Sequence, residues 1–391
     1  MSDPHVLVIN CGSSSIKLAL MQPSSGACRW QALAERLGTE GARIVSKERT
    51  VELSGADHER ALDTALSLLP QVPVVAVGHR VVHGGEAFAS SVLLDAKVIE
   101  AIVACSDLAP LHNPANLIGI RAALRLRPNL PQVAVFDTAF HQTLPPRAYH
   151  YALPRELYER YKIRRYGFHG TSHVYVAHRA AELLGRPLDT LHLLTAHLGN
   201  GCSATAIERG RSVDTSMGLT PLEGLVMGTR SGDIDPGLPE FLAEQAGLTI
   251  DQIGELLNKK SGLLGLSGQS NDMRNLLELE AGGDARAQLA IDVFCYRLAK
   301  GLLALSAALP ELDAIVFTGG IGEHAAPVRA RTVESLRVLG VSLDPARNQA
   351  HGRQSNGVIS DAQSRVAVMV VPTNEELVIA REALRFVPQE H

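Results

Sequence analysis

The chain is poor in aromatic residues and cysteine, carries no excess of basic charge and has no long apolar run. Aromatics make up 4% of its 391 residues and the net charge is −4, so no basic surface with interleaved aromatics is expected to bind nucleic acid. No apolar run approaches the ~18 residues of a membrane-spanning helix, and the N-terminal residues lack a signal-peptide pattern. These absences predict a cytoplasmic protein that binds neither nucleic acid nor membrane.

The few cysteines are widely spaced. They stand at positions 11, 28, 105, 202 and 295 and form no C-x-x-C pair, which argues against a zinc site and against a disulfide framework. We expect reduced and mostly buried thiols.

The length and the order of apolar segments predict two α/β domains. A chain of 391 residues with 46% hydrophobic residues is too long for one ordinary core. Leu144-Pro-Pro-Arg147 interrupts the pattern and is the expected domain boundary. The predicted order before it is a helix at 57–69, a strand at 74–82, a helix from an N-cap at Asn113 to about Leu126, and a strand at 132–137.

The second half also predicts helices with recognisable ends. Thr171 or Ser172 is the expected N-cap of a helix that ends at Gly185, and residues 249–252 have the sequence of a capping box. Residues 284–308 predict a long, largely apolar helix that is buried between layers.

The C-terminal sequence Pro-Thr-Asn-Glu-Glu offers two roles for its carboxylates. With Thr373 as the N-cap, Glu376 closes a capping box, which is a purely structural role. Glu375 then faces the ligand as a metal-shell carboxylate, or is a solvated acid that the helix dipole favours. The residues alone leave both alternatives open.

Two strand–turn–strand segments have the composition of phosphate-binding hairpins. In the first, at residues 6–20, Gly12 permits close approach of an anion, three serines and Lys17 supply donors and charge, and Asn10 offers an oxygen to a hard cation. The second lies at residues 193–207 with the glycine-rich turn at 199–201. The repetition suggests two related halves that face one nucleotide.

A strand at 313–318 runs into the glycine-rich turn 319–324 and then a helix, so its amides are expected to point at a ligand on the helix N-terminus. Asp137 follows another strand, and the carboxyl ends of strands in open α/β sheets bind ligands. Asp137 is therefore a candidate site residue, with a turn or capping aspartate as the alternative.

Several polar residues lie in small-residue contexts. Arg80 and Arg230 flank glycines and suit a ligand with several negative oxygens, although an isolated arginine is more often a surface ion pair. His169 and His173 have a spacing that can bind zinc, but Gly170 interrupts the helix and the catalytic glutamate is missing, which disfavours zinc. Asp272 with Arg274 holds a ribose or caps the next helix.

Ordered blocks along essentially the whole chain resemble the acetokinase family, within the sugar kinase, Hsp70 and actin superfamily. The blocks are NCGSSSIK, GHRVVHGG, FDTAFH, YGFHGTSH, HLGNG, TSMG-x-TPLEGL, GTRSGDIDP, S-x-DMR and PTNEE. The resemblance implies a duplicated ribonuclease-H-like (actin-like ATPase) α/β fold with two domains around a nucleotide cleft. The implied domains are residues 1–146 with 374–391, closed by the C-terminal helix, and residues 147–373, which bind the nucleotide.

The same resemblance implies reversible, direct in-line transfer of the ATP γ-phosphoryl group to acetate, giving acetyl phosphate and ADP, by a homodimer. The implied cofactor is Mg²⁺, for which Mn²⁺ substitutes, held by Asn10 and Glu375. The implied catalytic residues are Arg80, Asp137, His169 and Arg230. The implied ATP contacts are Lys17, His197, Leu198, Gly199, Asn200, Gly201, Asp272, Met273, Arg274, Gly320, Ile321, Gly322, Glu323 and His324. Arg80 together with Val82, Leu111, Phe168 and Pro221 is implied to bind the acyl group.

Physical reasoning refines the role of Asp137. A carboxylate substrate is already ionised at neutral pH and needs no base to become a nucleophile. We therefore expect Asp137 to orient magnesium-bound water, so that Asp137→Asn loses magnesium affinity along with turnover. The obstacle is the approach of one anion to another, which requires positive charge and in-line positioning.

Other functions remain as alternatives. His324 replaces the family's usual asparagine and Leu219 its common aromatic, which leaves base selectivity and acyl length open. Propionate or another short-chain acid is an alternative acceptor, because one methylene changes the free energy of discrimination by only ~1–3 kcal/mol. From other classes, the alternatives are an acyl-phosphate hydrolase and a non-catalytic ATP sensor, although a sensor has no need of Arg80, His169 and Arg230 together.

Overall fold

A computed structural model describes residues 3–110 and 112–388. The described residues up to Gln142 and from Asn374 onward form a first unit, and Thr143–Thr373 form a second unit. No helix in these described ranges has the length and apolarity to cross a membrane.

The strands and helices alternate along the chain as the apolar pattern predicts. The strands are β1 His5–Cys11, β2 Ile16–Gln22, β3 Ala27–Glu35, β4 Arg43–Ser46, β5 Thr50–Glu52, β6 Val74–Val81, β7 Val92–Leu93, β8 Gln132–Phe136, β9 His192–Leu198, β10 Cys202–Glu208, β11 Arg211–Thr215, β12 Ala314–Thr318 and β13 Ala367–Val370. The α-helices are α1 His58–Ser67, α2 Ala96–Ala104, α3 Asn113–Leu126, α4 Pro146–Tyr149, α5 Arg155–Tyr161, α6 Gly170–Leu184, α7 Leu238–Ala246, α8 Ile250–Lys259, α9 Gly262–Ser267, α10 Met273–Ala281, α11 Ala285–Ser306, α12 Gly319–His324, α13 Ala326–Glu334, α14 Pro345–Gln349 and α15 Glu375–Leu384.

The two sheets follow one plan. The first unit has the strand order β5-β4-β3-β2-β1-β6-β8-β7, and the second has β11-β10-β9-β12-β13. In each, an antiparallel hairpin (β1–β2 or β9–β10) has a parallel neighbour, β6 or β12, on its first strand. Both predicted hairpins are therefore confirmed as strand pairs, and they occupy equivalent places in their sheets.

Close packing fixes two helices against the first sheet. A Cβ added to Gly78 in β6 would lie 2.6 Å from Cγ2 of Ile379, so this glycine lets α15 approach the sheet. A Cβ added to Gly119 in α3 would lie 2.8 Å from Cβ of Cys11 at the end of β1. The first contact holds α15 against β6, and the second holds α3 beside the end of β1.

Several predicted elements are confirmed. The helix after Asp57, the capping box of Thr249 with Gln252 and the helix end at Gly185 are all present. All five cysteines are free, and all except Cys28 are buried. Among buried thiols, desolvation raises the pKa of Cys11 to about 12.

Three predicted N-caps are wrong. Helix α3 begins at Asn113 itself, and the Asn113 side chain instead bonds the backbone of His83. Helix α6 begins at Gly170 with His169 at the N-cap position, so neither Thr171 nor Ser172 caps it. In α15 the cap is Asn374, whose side chain accepts from the backbone N–H of Leu377, so the predicted box of Thr373 and Glu376 does not form.

The burial predicted for α11 holds for only part of its surface. Its buried face includes Ile291, Phe294, Leu298 and Leu302. Leu289, Tyr296 and Leu303 are exposed, so one face of the helix is buried and another is exposed to solvent.

Candidate active site

In the first unit, three neighbouring parallel strands end in polar residues. Asn10 lies near the end of β1, Arg80 near the end of β6 and Asp137 directly after β8. Nε of Arg80 donates to both carboxylate oxygens of Asp137, each at 3.1 Å, and Nη2 donates to Oδ2 at 2.6 Å. Nη1 lies 3.5 Å from Oδ1 of Asn10. The structure therefore brings three of the predicted site residues together.

The Arg80–Asp137 pair is largely desolvated. The Asp137 side chain is 1% exposed and that of Arg80 is 22% exposed. Burial raises the pKa of the Asp137 carboxyl above its usual value; the charge of Arg80 opposes this shift and Glu375 adds to it. Burial disfavours the charged form of Arg80, but Asp137 and Glu375 outweigh burial and raise the pKa of the guanidinium.

The two glutamates at the start of α15 act on this cluster. Glu376 forms an ion pair with Lys17 on β2, and both Glu375 and Glu376 contribute to the raised pKa of Arg80. Lys17 is half exposed. The first unit thus holds two cations beside carboxylate and amide oxygens, which are the ligands that Mg²⁺ prefers.

In the second unit, the loop at residues 199–201 contacts two further predicted residues. A Cβ added to Gly201 would lie 3.4 Å from Nε2 of His169 and 3.5 Å from Nη1 of Arg230. Nη1 of Arg230 also donates to the backbone oxygen of Pro221 at 3.0 Å. The imidazole and the guanidinium therefore lie against the same glycine.

A chain of hydrogen bonds fixes the ring of His169. Its Nδ1 bonds Oγ of Ser203 at 2.9 Å, and the same oxygen bonds Nε2 of His173 at 2.8 Å. Nδ1 of His173 bonds Oγ1 of Thr195 at 2.7 Å. The ring also stacks on His197, with centroids 4.3 Å apart, so His169 is held rigidly although its backbone has a φ of 56°.

A cavity of about 390 Å³ lies beside the same loop. Its lining includes eight predicted residues: Gly199, Asn200, Asp272, Met273, Arg274, Gly320, Ile321 and His324. Asp272 also caps α10 by accepting from the backbone N–H of Arg274, so the capping alternative for this pair is confirmed. The volume and the mixed lining are typical of a small-molecule site.

Other predicted nucleotide contacts lie elsewhere. Leu198 is fully buried in β9, and Gly322 is buried beside the end of β12. The Glu323 carboxylate accepts from the backbone N–H groups of Gly319 and Thr373, at 3.1 and 3.2 Å. The N-terminus of α12 was expected to direct its amides at a ligand, but one of those amides is taken by Glu323.

The predicted acyl-pocket residues are divided between the units. Val82 follows β6 in the first unit, where its N–H donates to Asn116. Phe168 is buried in the second unit and Pro221 is half-buried there. Leu111 lies outside the described residues.

Sequence reasoning missed several residues of this site. Asn271, Leu277 and Ala325 also line the cavity, and Leu277 stands one helical turn after Met273, a spacing that could have indicated it. Ser203 gave no signal, because its role depends on two histidines that only the fold brings to it.

The comparisons with known proteins cover nearly the whole chain. The model of the "Acetokinase family" matches residues 5–381. The acetate kinase of Deinococcus radiodurans is 56% identical over 384 residues, 96% of each chain. The crystal structure of a propionate kinase from Francisella tularensis has a TM-score of 0.93 at 46% identity, covering 98% of this chain and 99% of the other. The crystal structure of Porphyromonas gingivalis acetate kinase has a TM-score of 0.92 at 43% identity, covering 98% and 100%.

These matches confirm the predicted fold class, an α/β fold of the duplicated ribonuclease-H-like, actin-like ATPase type. The family model matches residues 5–381, and the chain is 56% identical to a curated acetate kinase. The chain belongs to the acetokinase family.

Proposed function

We propose that this chain is an acetate kinase, which transfers the γ-phosphoryl group of ATP reversibly to acetate, giving acetyl phosphate and ADP. The observation that carries the proposal is the loop at residues 199–201. Gly199 and Asn200 line the 390 Å³ cavity, while Gly201 lies against His169 and Arg230. A nucleotide whose base occupies the cavity would extend its phosphates along this loop towards the imidazole of His169 and the guanidinium of Arg230.

Charge is the central difficulty of the reaction. Acetate and the γ-phosphate are both anions at neutral pH, so the reactants repel each other and no base is needed to create the nucleophile. Phosphoryl transfer is accelerated mainly by positioning and by positive charge around the transferring group. We assign this charge to Lys17, Arg80 and Arg230, and we assign to His169 the role of a hydrogen-bond donor.

Asp137 is best explained as a positioning residue for Arg80. Both of its oxygens accept from the guanidinium, and a fork-to-fork pair of this kind fixes orientation as well as charge. This assignment differs from the expectation that Asp137 orients magnesium-bound water. It leaves Nη1 of Arg80, which points towards Asn10, as the part of the guanidinium that binds an anion.

The family uses ATP with a divalent metal ion, and we propose Mg²⁺, with Mn²⁺ as a substitute. Asn10 and Glu375 would hold it. The donor set fits, because amide and carboxylate oxygens are hard ligands of the kind that Mg²⁺ and Mn²⁺ prefer. When bound, the ion supplies positive charge to the phosphate oxygens.

The hydrogen bonds of His169 support its role at the transition state. Ser203 holds Nδ1, so Nε2 is the nitrogen that lies next to Gly201. If the Ser203 hydroxyl donates to Nδ1, the ring proton lies on Nε2, and the ring can donate from Nε2 to an anion without loss of side-chain freedom at the moment of reaction.

The test is ATP-dependent formation of acyl hydroxamate in the presence of hydroxylamine, with formate, acetate, propionate and butyrate as acceptors. The proposal expects the highest kcat/KM with acetate. Release of phosphate without an acceptor would indicate a hydrolase, and nucleotide binding without any turnover would indicate a sensor. A higher kcat/KM with propionate would move the assignment to propionate kinase. Arg80→Ala and Arg230→Ala should each lower kcat roughly 100-fold or more without unfolding the protein.

Two further expectations remain predictions: assembly as a homodimer and a cytoplasmic location. Sedimentation of the purified chain tests the first, and fractionation of the source cells tests the second.

A further inference from the structure

A second group of potential metal ligands lies far from the nucleotide loops. His192 is the first residue of β9, Asp313 directly precedes β12, and Glu311 is two residues earlier. Strands β9 and β12 are parallel neighbours, with Ala314 opposite Leu193, so the three residues meet at the amino ends of these strands. The loops that bind the nucleotide leave the carboxyl ends, roughly 20 Å away along the strand.

His192 is buried without a hydrogen-bond partner for its ring. The residue is 2% exposed, and among the described residues neither Nδ1 nor Nε2 makes a hydrogen bond. Nδ1 lies 3.2 Å from Oε1 of Glu311 and 3.5 Å from Oδ2 of Asp313. Both oxygens lie within ion-pair distance of Nδ1 without a hydrogen bond to it, and a buried polar group in a native structure rarely lacks a hydrogen bond to protein, ligand or water.

The neighbouring carboxylates are arranged around that nitrogen. Ligand atoms of His192, Glu311 and Asp313 all lie within 4.8 Å of one another. Oδ2 of Asp313 also accepts from the backbone N–H of His192 at 2.8 Å, while Oδ1 accepts from Nη1 of Arg186 at 2.5 Å. Hydrogen bonds of this kind orient a ligating carboxylate in known metal sites.

The chemistry of the ligands selects the class of ion. One imidazole nitrogen and two carboxylate oxygens match a catalytic-type or partly open zinc set, whereas Mg²⁺ and Ca²⁺ prefer oxygen ligands alone. Arg186 offsets one of the two carboxylate charges, so the group retains a net negative charge that attracts a cation.

We propose that His192, Glu311 and Asp313 form a binding site for Zn²⁺ or a similar divalent transition metal, separate from the metal that accompanies ATP. The ion would join the start of β9 to the segment that precedes β12. Its role would be structural: it would hold together the amino ends of two strands whose carboxyl ends carry the proposed nucleotide loops.

The decisive experiment is titration of Zn²⁺ into untagged, chelator-treated protein by calorimetry in the absence of nucleotide. Glu311→Gln is the test variant, because Glu311 is 70% exposed and its loss should not disturb folding. Glu208→Gln is the matched control: its carboxylate lies 4.0 Å from Nε2, on the other ring nitrogen of His192. We expect binding to one site per chain that weakens roughly tenfold or more in Glu311→Gln and stays unchanged in Glu208→Gln.

Thermal unfolding supplies a second measurement. Zn²⁺ should raise the Tm of the wild type and of Glu208→Gln, but not that of Glu311→Gln, because only an ion bound to the native state stabilises it. Binding should also persist in Glu375→Gln, which lacks a ligand proposed for the other metal. Equal Zn²⁺ affinity in the wild type and Glu311→Gln, or no binding at millimolar Zn²⁺, would overturn the proposal. Glu311→Gln should keep acetate kinase turnover, so failure here is separate from failure of the proposed function.

Discussion

Replacement of Asp137 by asparagine tests whether this residue acts through Arg80. The substitution removes the carboxylate charge and keeps the shape of the side chain. One of the two acceptor oxygens becomes an NH₂ group, which faces the donors Nε and Nη2 of Arg80. The variant therefore loses part of the fork that orients the guanidinium and leaves its charge less well compensated.

The size of the effect follows from burial. Removal of one partner from a buried ion pair costs about 3–5 kcal/mol of folding free energy. We expect a value of about 3 kcal/mol, at the lower end, because Arg80 is 22% exposed and Glu375 and Glu376 still favour its charge. If the transition state loses the same amount of stabilising free energy, kcat/KM falls roughly 100-fold.

The hydroxamate assay distinguishes the two roles of Asp137. If Asp137 positions Arg80, kcat falls and the KM for acetate rises, while the Mg²⁺ concentration needed for half-maximal rate is unchanged. If it orients metal-bound water, that Mg²⁺ concentration rises. Urea unfolding measures the change in the free energy of unfolding. In the double-mutant cycle with Arg80→Ala, the two effects should be strongly non-additive; additive effects, or a rate within about threefold of wild type, would refute the positioning role.

Three further substitutions or conditions test separate parts of the structure. Arg329 is fully buried and donates to the backbone oxygens of Gly322 and Glu323, so Arg329→Met should lose about 3–5 kcal/mol in urea unfolding and raise the KM for ATP. Gly320→Ala should raise the KM for ATP without lowering the Tm, whereas Gly254→Ala in α8 should leave the KM unchanged. Burial lowers the pKa of His79 from 6.5 to about 4. Between these pH values the unfolded chain binds a proton that the folded chain does not, so the free energy of unfolding should fall as the pH drops from 6.5 to about 4. His79→Gln should reduce this dependence of the unfolding free energy on pH, measured by urea titrations.

The strands and the loops at their ends could be predicted because each depends on nearby residues. The segments of β1, β2, β9 and β10 are apolar and end in glycine-rich turns, and these signals lie within about twenty residues of each other. Such local consistency is what specifies a fold. Eight residues of the cavity lining lie in short motifs, and it is the resemblance to the family that singled them out.

The wrong caps show what the local pattern could not supply. The spacing of Thr373 and Glu376 is that of a capping box, but Asn374 is also a good cap and takes the position. Glu376 then pairs with Lys17, which lies 359 positions away in the chain. Asn113 likewise bonds the backbone at His83 instead of capping α3. These choices depend on tertiary neighbours, which no window of sequence contains.

The glycines of the proposed nucleotide loops show which positions the fold itself restricts to glycine and which it does not. Gly319 has a φ of +75°, and a Cβ there would lie 2.8 Å from the backbone oxygen of Leu198, so the protein's own atoms demand glycine. At Gly320 an added Cβ meets nothing within 4 Å, and at Gly201 it meets only ordinary contacts of 3.4 Å or more. Alanine in a helix is more favourable than glycine by up to ~1 kcal/mol, so folding alone would favour alanine at position 320 in α12. The absence of a side chain at Gly201 and Gly320 fits the proposed nucleotide site, because a phosphate chain that binds to backbone amides needs this space.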